Sequence, residues 1–537
     1  MLLITVFATV ITALPKSSSG QVLKGVVWEV PEILPEAIRD LREMKDSGVQ
    51  VVRIGAIPDP ILFAEADSLG LVFYRDMPLA DVPVRLLSDS LAMATRTLSE
   101  MLISGQGHPS AGPIGLVINT DVTNTDACSY FDAVRASSGT TDQKYYYVSK
   151  FVESDVCHEH VDFVLLDAVD KENPTEIISR WVGDRSTPVA ITFGRRVEQA
   201  YGDGLQVPFS VESQARFYET SLTTLLDSGL PASDRLVAVF AHRWRDQDGD
   251  QYGRRFGIEG DDDRRLSKNV LRGFYTGEQR VFAFANTSDP ASPDIWYTVL
   301  GWILIGIVAA LYTTSPRFRD MAPRYFIAHG FYRNAVREAR EVLPIVSTAL
   351  LTVVGLATGM IATQMLLAVH DTSSFQYLVQ LSPEMIQSTI SVLIYNPLVA
   401  TFFLGSMALL GLTLWMGLWM IVAGQRPPLL PSQALMLAVW PRWQLLVLLP
   451  VSMAIATLEP GMVQVGMYAL FPVWVGVGLW AAGRTSYDIY KLTNCSIWIA
   501  ATGLALHPAV LITMGTVIAL LFQGDHVSFM LHLAFRS

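Results

Sequence analysis

Residues 108–124, HPSAGPIGLVINTDVTN, set a buried-type run, Ile114 to Ile118, directly before three polar side chains, Asn119, Thr120 and Asp121. A short continuous apolar run bounded by turn residues reads as a strand of a parallel sheet covered on both faces. In a barrel of alternating strands and helices, the C-terminal end of such a strand is where functional side chains gather. The fold therefore turns on whether the flanking sequence repeats the pattern.

It does. From residue 22 to about residue 280, β-rich runs alternate with helical ones: LKGVVWEV, VQVVRIGA, LVFYRDM, IGLVINT, VDFVLLDAV, PVAITFG, LVAVFAHRW and RRFGIEG. Eight strands within about 260 residues is the size of a (β/α)8 TIM barrel. The helices between them carry start and stop signals: Pro35 suits a first helical turn, Ala37, Leu41 and Met44 share a face, and Gly48 ends the helix. Likewise Ala215, Tyr218, Leu222 and Leu225 fall at helical spacing before Gly229. A doubly wound open sheet is the alternative. No glycine-rich phosphate loop follows the first strand, so a dinucleotide site is not indicated and no cofactor is expected.

The strand ends list the candidate site: Trp28, Glu29, Arg53, Asp76, Asn119, Thr120, Asp121, Asp167, Thr192 and His242 to Trp244. Aromatic rings, an arginine, an amide and carboxylates around one mouth suit a saccharide, whose hydroxyls need convergent polar groups. Capping of strands or pairing among these residues is the plainer role for each.

The rest of the chain is unlike this half. Of 537 residues, 51% are hydrophobic and 17% charged, too apolar for a wholly soluble protein. From Ile295 onward there are 11 Lys and Arg against 8 Asp and Glu; the first 294 residues hold 28 against 42, a net of −14 in front and +3 behind. An acidic front half excludes nucleic acid as a partner. The run Leu2 to Leu14 is the length of a signal-peptide core, so residues 1–20 read as a signal peptide or N-terminal anchor. Cys128 and Cys157 either close a loop of about 30 residues as a disulfide or remain free thiols. CHEH, residues 157–160, lacks a second spaced ligand pair and reads as a surface turn. DQDGD, residues 246–250, has Gln251 and Gly257 where a calcium loop needs Gly and Glu, so it reads as a solvated acidic loop and no metal site is expected.

Six apolar runs of roughly membrane-spanning length follow: Ile295–Tyr312, Ile345–Val369, Leu398–Val422, Leu445–Leu458, Met462–Ala482 and Ser496–Phe522. Charges are nearly absent inside them, which argues against a proton or ion path. Arg317, Arg319, Arg324, Arg333, Arg337 and Arg340 crowd the first inter-span loop, and Arg426, Arg442, Arg484 and Lys491 fall in alternate later ones. By the positive-inside rule those loops are cytoplasmic, which puts the acidic front half outside a cell membrane crossed several times. The Arg-rich segment reads as an amphipathic helix, with Phe326, Phe331, Ala335, Val336 and Ala339 opposite its arginines, suited to an anionic leaflet or a cytoplasmic partner.

The order of the front-half motifs resembles the catalytic barrel of glycoside hydrolase family 2, the β-galactosidase and β-glucuronidase group. The likeness rests on LKGVVWEV, a helix ending in Met44-Lys45 and Gly48, the strand ending Val52-Arg53, the turn Asp67-x-x-Gly70-Leu71, HPS at residues 108–110, and RWRDQDGDQYGRRFGIEGDDDRRLSKNVLRGFY. It covers about half of the chain. The resemblance implies two catalytic carboxylates, an acid/base after an Asn closing strand four and a nucleophile before Phe/Tyr-Gly. Here those positions read Thr120 and Thr192, and the family's His after strand two reads Ala56. A threonine hydroxyl neither protonates a leaving oxygen effectively nor attacks an anomeric carbon at neutral pH. Asp121 is the fallback acid, with Asp76, Glu29 or Glu198 as its partner, and it leaves enzyme activity open. The five later spans resemble Yip-like bacterial membrane domains in topology.

The expected organisation is therefore α/β, a (β/α)8 TIM barrel followed by an all-α transmembrane bundle of about six helices. Residues 1–20 are the signal or anchor, 21–286 an extracytoplasmic barrel and 287–314 a linker with the first transmembrane helix. Residues 315–344 form a cytoplasmic Arg-rich helix, and 345–537 five further transmembrane helices. The expected function is a glycosidase-like barrel without hydrolytic chemistry, binding a saccharide or a protein partner through Trp28, Glu29, Arg53, Asp76, Asn119, Asp121, Asp167 and Trp244. A tethered active hydrolase, or a subunit of a transport or assembly complex, are the alternatives.

Overall fold

The computed structural model describes residues 22–285 and 295–536, apart from 56, 140–141, 184, 199–203, 208, 227–234, 247–253, 260–265, 341, 423–428 and 459. The expected signal segment, Ala56, residues 287–294 of the linker, Arg426 and most of the acidic loop lie outside the described residues. The chain divides into two units, Met1–Ala291 with Asp525–Ser537, and Ser292–Gly524.

In the first unit, parallel strands close a barrel. They are β1 (Leu23–Val27), β2 (Val51–Ile54), β3 (Val72–Asp76), β5 (Ala111–Thr120), β6 (Tyr145–Ser149), β7 (Phe163–Val169), β8 (Val189–Gly194) and β10 (Leu236–Ala241). The order β3-β2-β1-β10-β8-β7-β6-β5 is sealed by β3–β5 pairing, and short β4 (Ala80–Val82) adds to the far end of β5, Val82 opposite Thr120. One strand differs from expectation. RRFGIEG supplies only β11 (Arg254–Arg255), antiparallel to β9 (Val197–Glu198) outside the barrel, and the missing barrel strand is β6, YYYVS. Its tyrosines bury their rings, and Tyr146 and Tyr147 give their hydroxyls to Asp76 and Asp155, a β-favouring aromatic run that a count of aliphatic residues passes over.

Alternation along each strand fills the barrel. Val51, Tyr74, Tyr146, Val148, Phe163, Leu165, Ala190, Ala238 and Phe240 form one interior cluster. Large and small residues interlock: a Cβ on Gly25 would meet the Phe240 ring at 2.6 Å. Outside lie α1 (Leu34–Asp46), α2 (Pro60–Leu69), α3 (Val84–Ser104), α4 (Thr125–Ser137), α5 (Pro174–Val182), α6 (Val211–Leu225) and α7 (Leu266–Thr276). Ala37, Leu41 and Met44 of α1 and Ala215, Tyr218, Leu222 and Leu225 of α6 are buried. Gly48 takes the left-handed conformation, φ 82°, that stops the chain after α1. Side chains of Asp59, Asn124, Asn173 and Ser210 cap their helices. A disulfide joins Cys128 of α4 to Cys157.

The second unit is helical: α8 (Ile295–Thr314), α9 (Pro316–Ile327), α10 (His329–Arg337), α11 (Pro344–Val369), α12 (Ser373–Gln380), α13 (Glu384–Tyr395), α14 (Pro397–Val422), α15 (Pro431–Val439), α16 (Leu445–Ala456), α17 (Pro460–Thr493), α18 (Ile497–Ala505) and α19 (Pro508–Phe522). Four of these, α8, α11, α14 and α17, are long and apolar enough to cross a membrane, and α18 with α19 makes a fifth if the pair, bent by 70°, counts as one span. The expected six are thus four to five. The fourth expected run folds as α16, 12 residues, and a helix that short reaches only about 18 Å against a hydrocarbon core of about 30 Å. The expected single Arg-rich helix is two, α9 and α10, parted at Ala328. Small residues let α11 and α14 approach closely: a Cβ on Gly359 would meet Gly405 N at 2.7 Å and collide with the Thr401 carbonyl. A last helix, α20 (Gly524–Arg536), belongs almost wholly to the first unit and was not expected from the sequence.

Candidate functional site

At the C-terminal ends of the barrel strands the interior turns polar. Arg53 at the end of β2 donates from Nε to Asp76 Oδ2 of β3 at 2.7 Å and from Nη1 to Thr192 Oγ1 of β8 at 3.2 Å. Tyr146 of β6 donates its hydroxyl to Asp76 Oδ1 at 2.6 Å. Exposures of 7% for Arg53, 2% for Asp76, 1% for Thr192 and 0% for Tyr146 make this group a plug, since no water reaches it as competitor. Burial pushes the Asp76 carboxyl up, against the pull of Arg53 and of the two hydrogen bonds. Gly115 of β5 leaves the necessary space, because a Cβ there would collide with the Asp76 carboxylate. His242, after β10, is half-buried beside this plug, with its Nδ1 enclosed. Desolvation and then the Arg243 charge push its pKa to about 3, so the imidazole is neutral across the physiological range.

Nearer the mouth, four side chains form a second group. Lys150 Nζ, just beyond β6, lies 3.9 Å from Asp81 Oδ1 of β4 and 3.9 Å from Asp167 Oδ2 of β7. Burial pushes the Asp81 carboxyl up; Lys150 and Asn119 oppose this and the Asp167 charge adds to it. Asp81 and Asn119 both hold left-handed backbones, φ 50° and 57°. Such conformations cost energy in residues other than glycine and cluster at functional sites. The buried Asn119 Oδ1 has no hydrogen-bond partner among the described residues.

The other expected residues fall elsewhere. Glu29 reaches Arg243 Nη1 at 3.2 Å, and burial raises its pKa. Thr120 donates to Val82 O at 2.6 Å. Asp121 accepts from Thr123 Oγ1 at 2.5 Å and hydrogen-bonds His532 of α20 through its other oxygen. Glu198, a possible partner for it, is paired with Arg196. Trp28 points to the helix side, its indole N–H donating to Asp40 of α1 at 3.1 Å. Trp244 is fully buried, with Lys268 of α7 over its ring at 5.3 Å. In the 157–160 turn, His158 bonds Thr187 at 2.9 Å and His160 bonds Asp132 at 2.9 Å. Among the described residues no group of three or more His, Cys, Asp or Glu could hold a metal ion.

The structure thus brings together Arg53, Asp76 and Thr192, and separately Asn119 and Asp167. Sequence reasoning missed Tyr146, Asp81, Lys150 and His532. Tyr146 and Lys150 go with the overlooked strand β6, and Asp81 with the brief strand after the Asp76 turn.

No family model and no curated protein matches the chain. Among solved structures, 48% of the chain is similar to 50% of a beta-glucuronidase from an uncultured Clostridium sp., with 16% identity and a TM-score of 0.42. It is also similar, over 49% of its length and 52% of the other, to a GH2 beta-galacturonidase from Eisenbergiella tayi bound to galacturonate, with 15% identity and a TM-score of 0.42. A beta-glucuronidase from Ruminococcus gnavus in complex with D-glucuronic acid is similar over 48% of this chain and 49% of that one, with 17% identity and a TM-score of 0.41. The chain spans about half the length of these proteins.

Proposed function

We propose that the chain is a membrane-embedded protein whose extracytoplasmic barrel holds a saccharide at its mouth without cleaving it. The observation that carries this is the state of Thr120 and Thr192. At the two strand ends where a retaining glycosidase needs carboxyl groups about 5 Å apart, one threonine hydroxyl is bonded to Val82 O and the other to Arg53. The buried Arg53–Asp76–Tyr146 plug stands against Thr192, which leaves that strand end filled by side chains and closed to a sugar ring. Above it, Asn119, Asp81, Lys150 and Asp167 offer donors and acceptors of the kind sugar hydroxyls need. The reading of residues 1–20 as a signal peptide or N-terminal anchor, together with the arginine-rich loops, supports this orientation.

Glycan-array binding by the full-length protein in lipid nanodiscs tests the reading. A defined glycan should bind and be lost in Asp167→Ala. The absence of any glycan signal would sink saccharide recognition and leave a protein partner for this surface.

One observation favours a second reading, a tethered hydrolase. Asp81 and Asp167 flank Lys150, and burial favours the protonated form of Asp81, the state a general acid requires. Turnover of aryl glycosides, abolished separately by Asp81→Asn and Asp167→Asn, would establish that reading in place of the first.

A further inference from the structure

The helical unit gathers hydrogen-bond donors that have no acceptor. Arg484 Nε on α17, Trp443 Nε1 and Gln444 Nε2 in the turn entering α16, and Arg333 Nη1 on α10 are all buried and unpartnered. Contacts tie their elements together. Arg442, beside Trp443, reaches Thr485 Oγ1, beside Arg484, at 3.3 Å. The Trp443 ring packs on Phe326 of α9 at 5.6 Å, and neighbouring Tyr325 packs on His329 at 5.1 Å. His329 bonds Asp488 at 2.8 Å, one turn along α17 from Arg484, and Arg333 lies over the Tyr487 ring at 5.6 Å. Asp488 is thus engaged by His329, and among the described residues no ion pair joins Arg484 or Arg333 to a carboxylate.

A buried donor without an acceptor costs about 1–3 kcal/mol, more for a charged one. One N–H on each of two arginines, an indole N–H and an amide N–H lack an acceptor, although Arg484 also bonds the Tyr325 hydroxyl and Arg333 faces the Tyr487 ring, and together they call for a ligand that is all acceptor and negatively charged. Phosphate oxygens meet both demands, and arginine is the side chain best shaped to receive them. Beside the cluster, Ile327 is 88% exposed, Phe331 48% and Phe326 47%, an apolar surface beside arginines as on a helix lying at the level of lipid head groups.

We propose that this cluster binds the phosphate of an anionic lipid head group, with Arg484 and Arg333 supplying charge and Trp443 and Gln444 fixing the oxygens. The proposal rests on the reading that the apolar helices span a bilayer. It is tested on the full-length protein in nanodiscs of phosphatidylcholine, with and without phosphatidylglycerol, by native mass spectrometry of retained lipid and by thermal unfolding. Phosphatidylglycerol should be retained and raise the unfolding temperature. Arg484→Gln should abolish both effects, and Trp443→Phe, which keeps the ring and removes the N–H, should weaken retention about tenfold. Both variants should unfold in neutral discs as the parent does, which separates a lost ligand from a damaged fold. Equal retention by parent and variants overturns the site. Equivalent stabilisation by inorganic phosphate in neutral discs, lost in Arg484→Gln, overturns the lipid assignment in favour of a soluble anion. Failure of the chain to enter discs at all strikes the membrane reading itself.

Discussion

His532, on the last helix, hydrogen-bonds the Asp121 carboxylate at the C-terminal end of β5, and Asp525 of the same helix pairs with Arg85 at the start of α3 at 3.1 Å. The chain that leaves the barrel unit before α8 therefore comes back to it after α19. If the apolar helices cross a bilayer, an even number of crossings lies between. Four crossings with α18 and α19 dipping in and out satisfy this. Cysteines placed at exposed Leu531 and exposed Ile103, each in a Cys495→Ala background, should react with a membrane-impermeant maleimide from the same side. Labelling from opposite sides would refute the return.

The plug makes a second prediction. Arg53→Leu leaves the Asp76 carboxylate buried with one hydroxyl as its partner, and removing one member of a buried ion pair costs about 3–5 kcal/mol. Replacing both residues by leucine removes the stranded charge and should recover a large part of that loss. Urea unfolding of the parent and the two variants decides the matter; an Arg53→Leu protein as stable as the parent would mean that the pair contributes nothing to the throat.

The barrel was legible because strands covered on both faces read as unbroken apolar runs, and counting to their ends located Arg53, Asp76, Asn119, Asp167 and Thr192. A count by two would have gone further: Leu23, Gly25 and Val27 share the interior face of β1, so Trp28, the next residue, continues the alternation toward the helices, as it does. Strand β6 was hidden by hydroxyl-bearing side chains, although Tyr146 and Tyr147 each give that hydroxyl to a buried aspartate, Asp76 and Asp155. Contacts between Asp121 and His532, 411 residues apart, leave no local periodicity to read. Breaks in the apolar helices were hard to see because hydropathy sums over a window, whereas the 70° bend is a feature of Leu506 and His507 alone.

Asp155 should make the barrel sensitive to pH. It accepts the Tyr147 hydroxyl at 2.8 Å and Cys157 N–H at 2.9 Å, and burial pushes its pKa from 3.8 to about 6. The folded carboxyl holds its proton more tightly than the unfolded one. Its contribution is therefore full below about pH 4 and is lost as pH rises through about 6, up to about 3 kcal/mol in all. Unfolding midpoints measured across that window should fall with rising pH, and Asp155→Asn should flatten this part of the profile. An unchanged slope in the variant would assign the dependence to other groups.

The disulfide beside Asp155 acts on the unfolded chain. Closing a loop between residues 29 apart removes conformational entropy worth about 3–4 kcal/mol. Cys128→Ala with Cys157→Ala should lower the urea midpoint of the barrel unit by that equivalent, and reductant should lower the parent to the same value. A parent insensitive to reductant, with free thiols detected by alkylation, would show that the bridge does not form.

In the helical unit the test falls on the crossing of α11 and α14. A Cβ at residue 359 meets backbone on the facing helix, the Thr401 carbonyl and Gly405, so neither a rotamer change nor a flexible side chain can relieve it. The helices must part, which also stretches the 3.1 Å bond between Thr401 and Thr363. Gly359→Val should cost about 1–3 kcal/mol by overpacking. Gly478 on α17 provides the matched comparison, since a Cβ there meets nothing within 4 Å. Gly478→Ala should be neutral or stabilising by up to about 1 kcal/mol, through the better helix propensity of alanine. Thermal unfolding in detergent should therefore order the proteins Gly359→Val, parent, Gly478→Ala, and a Gly359→Val protein no less stable than the parent would mean that the two helices do not touch at this point.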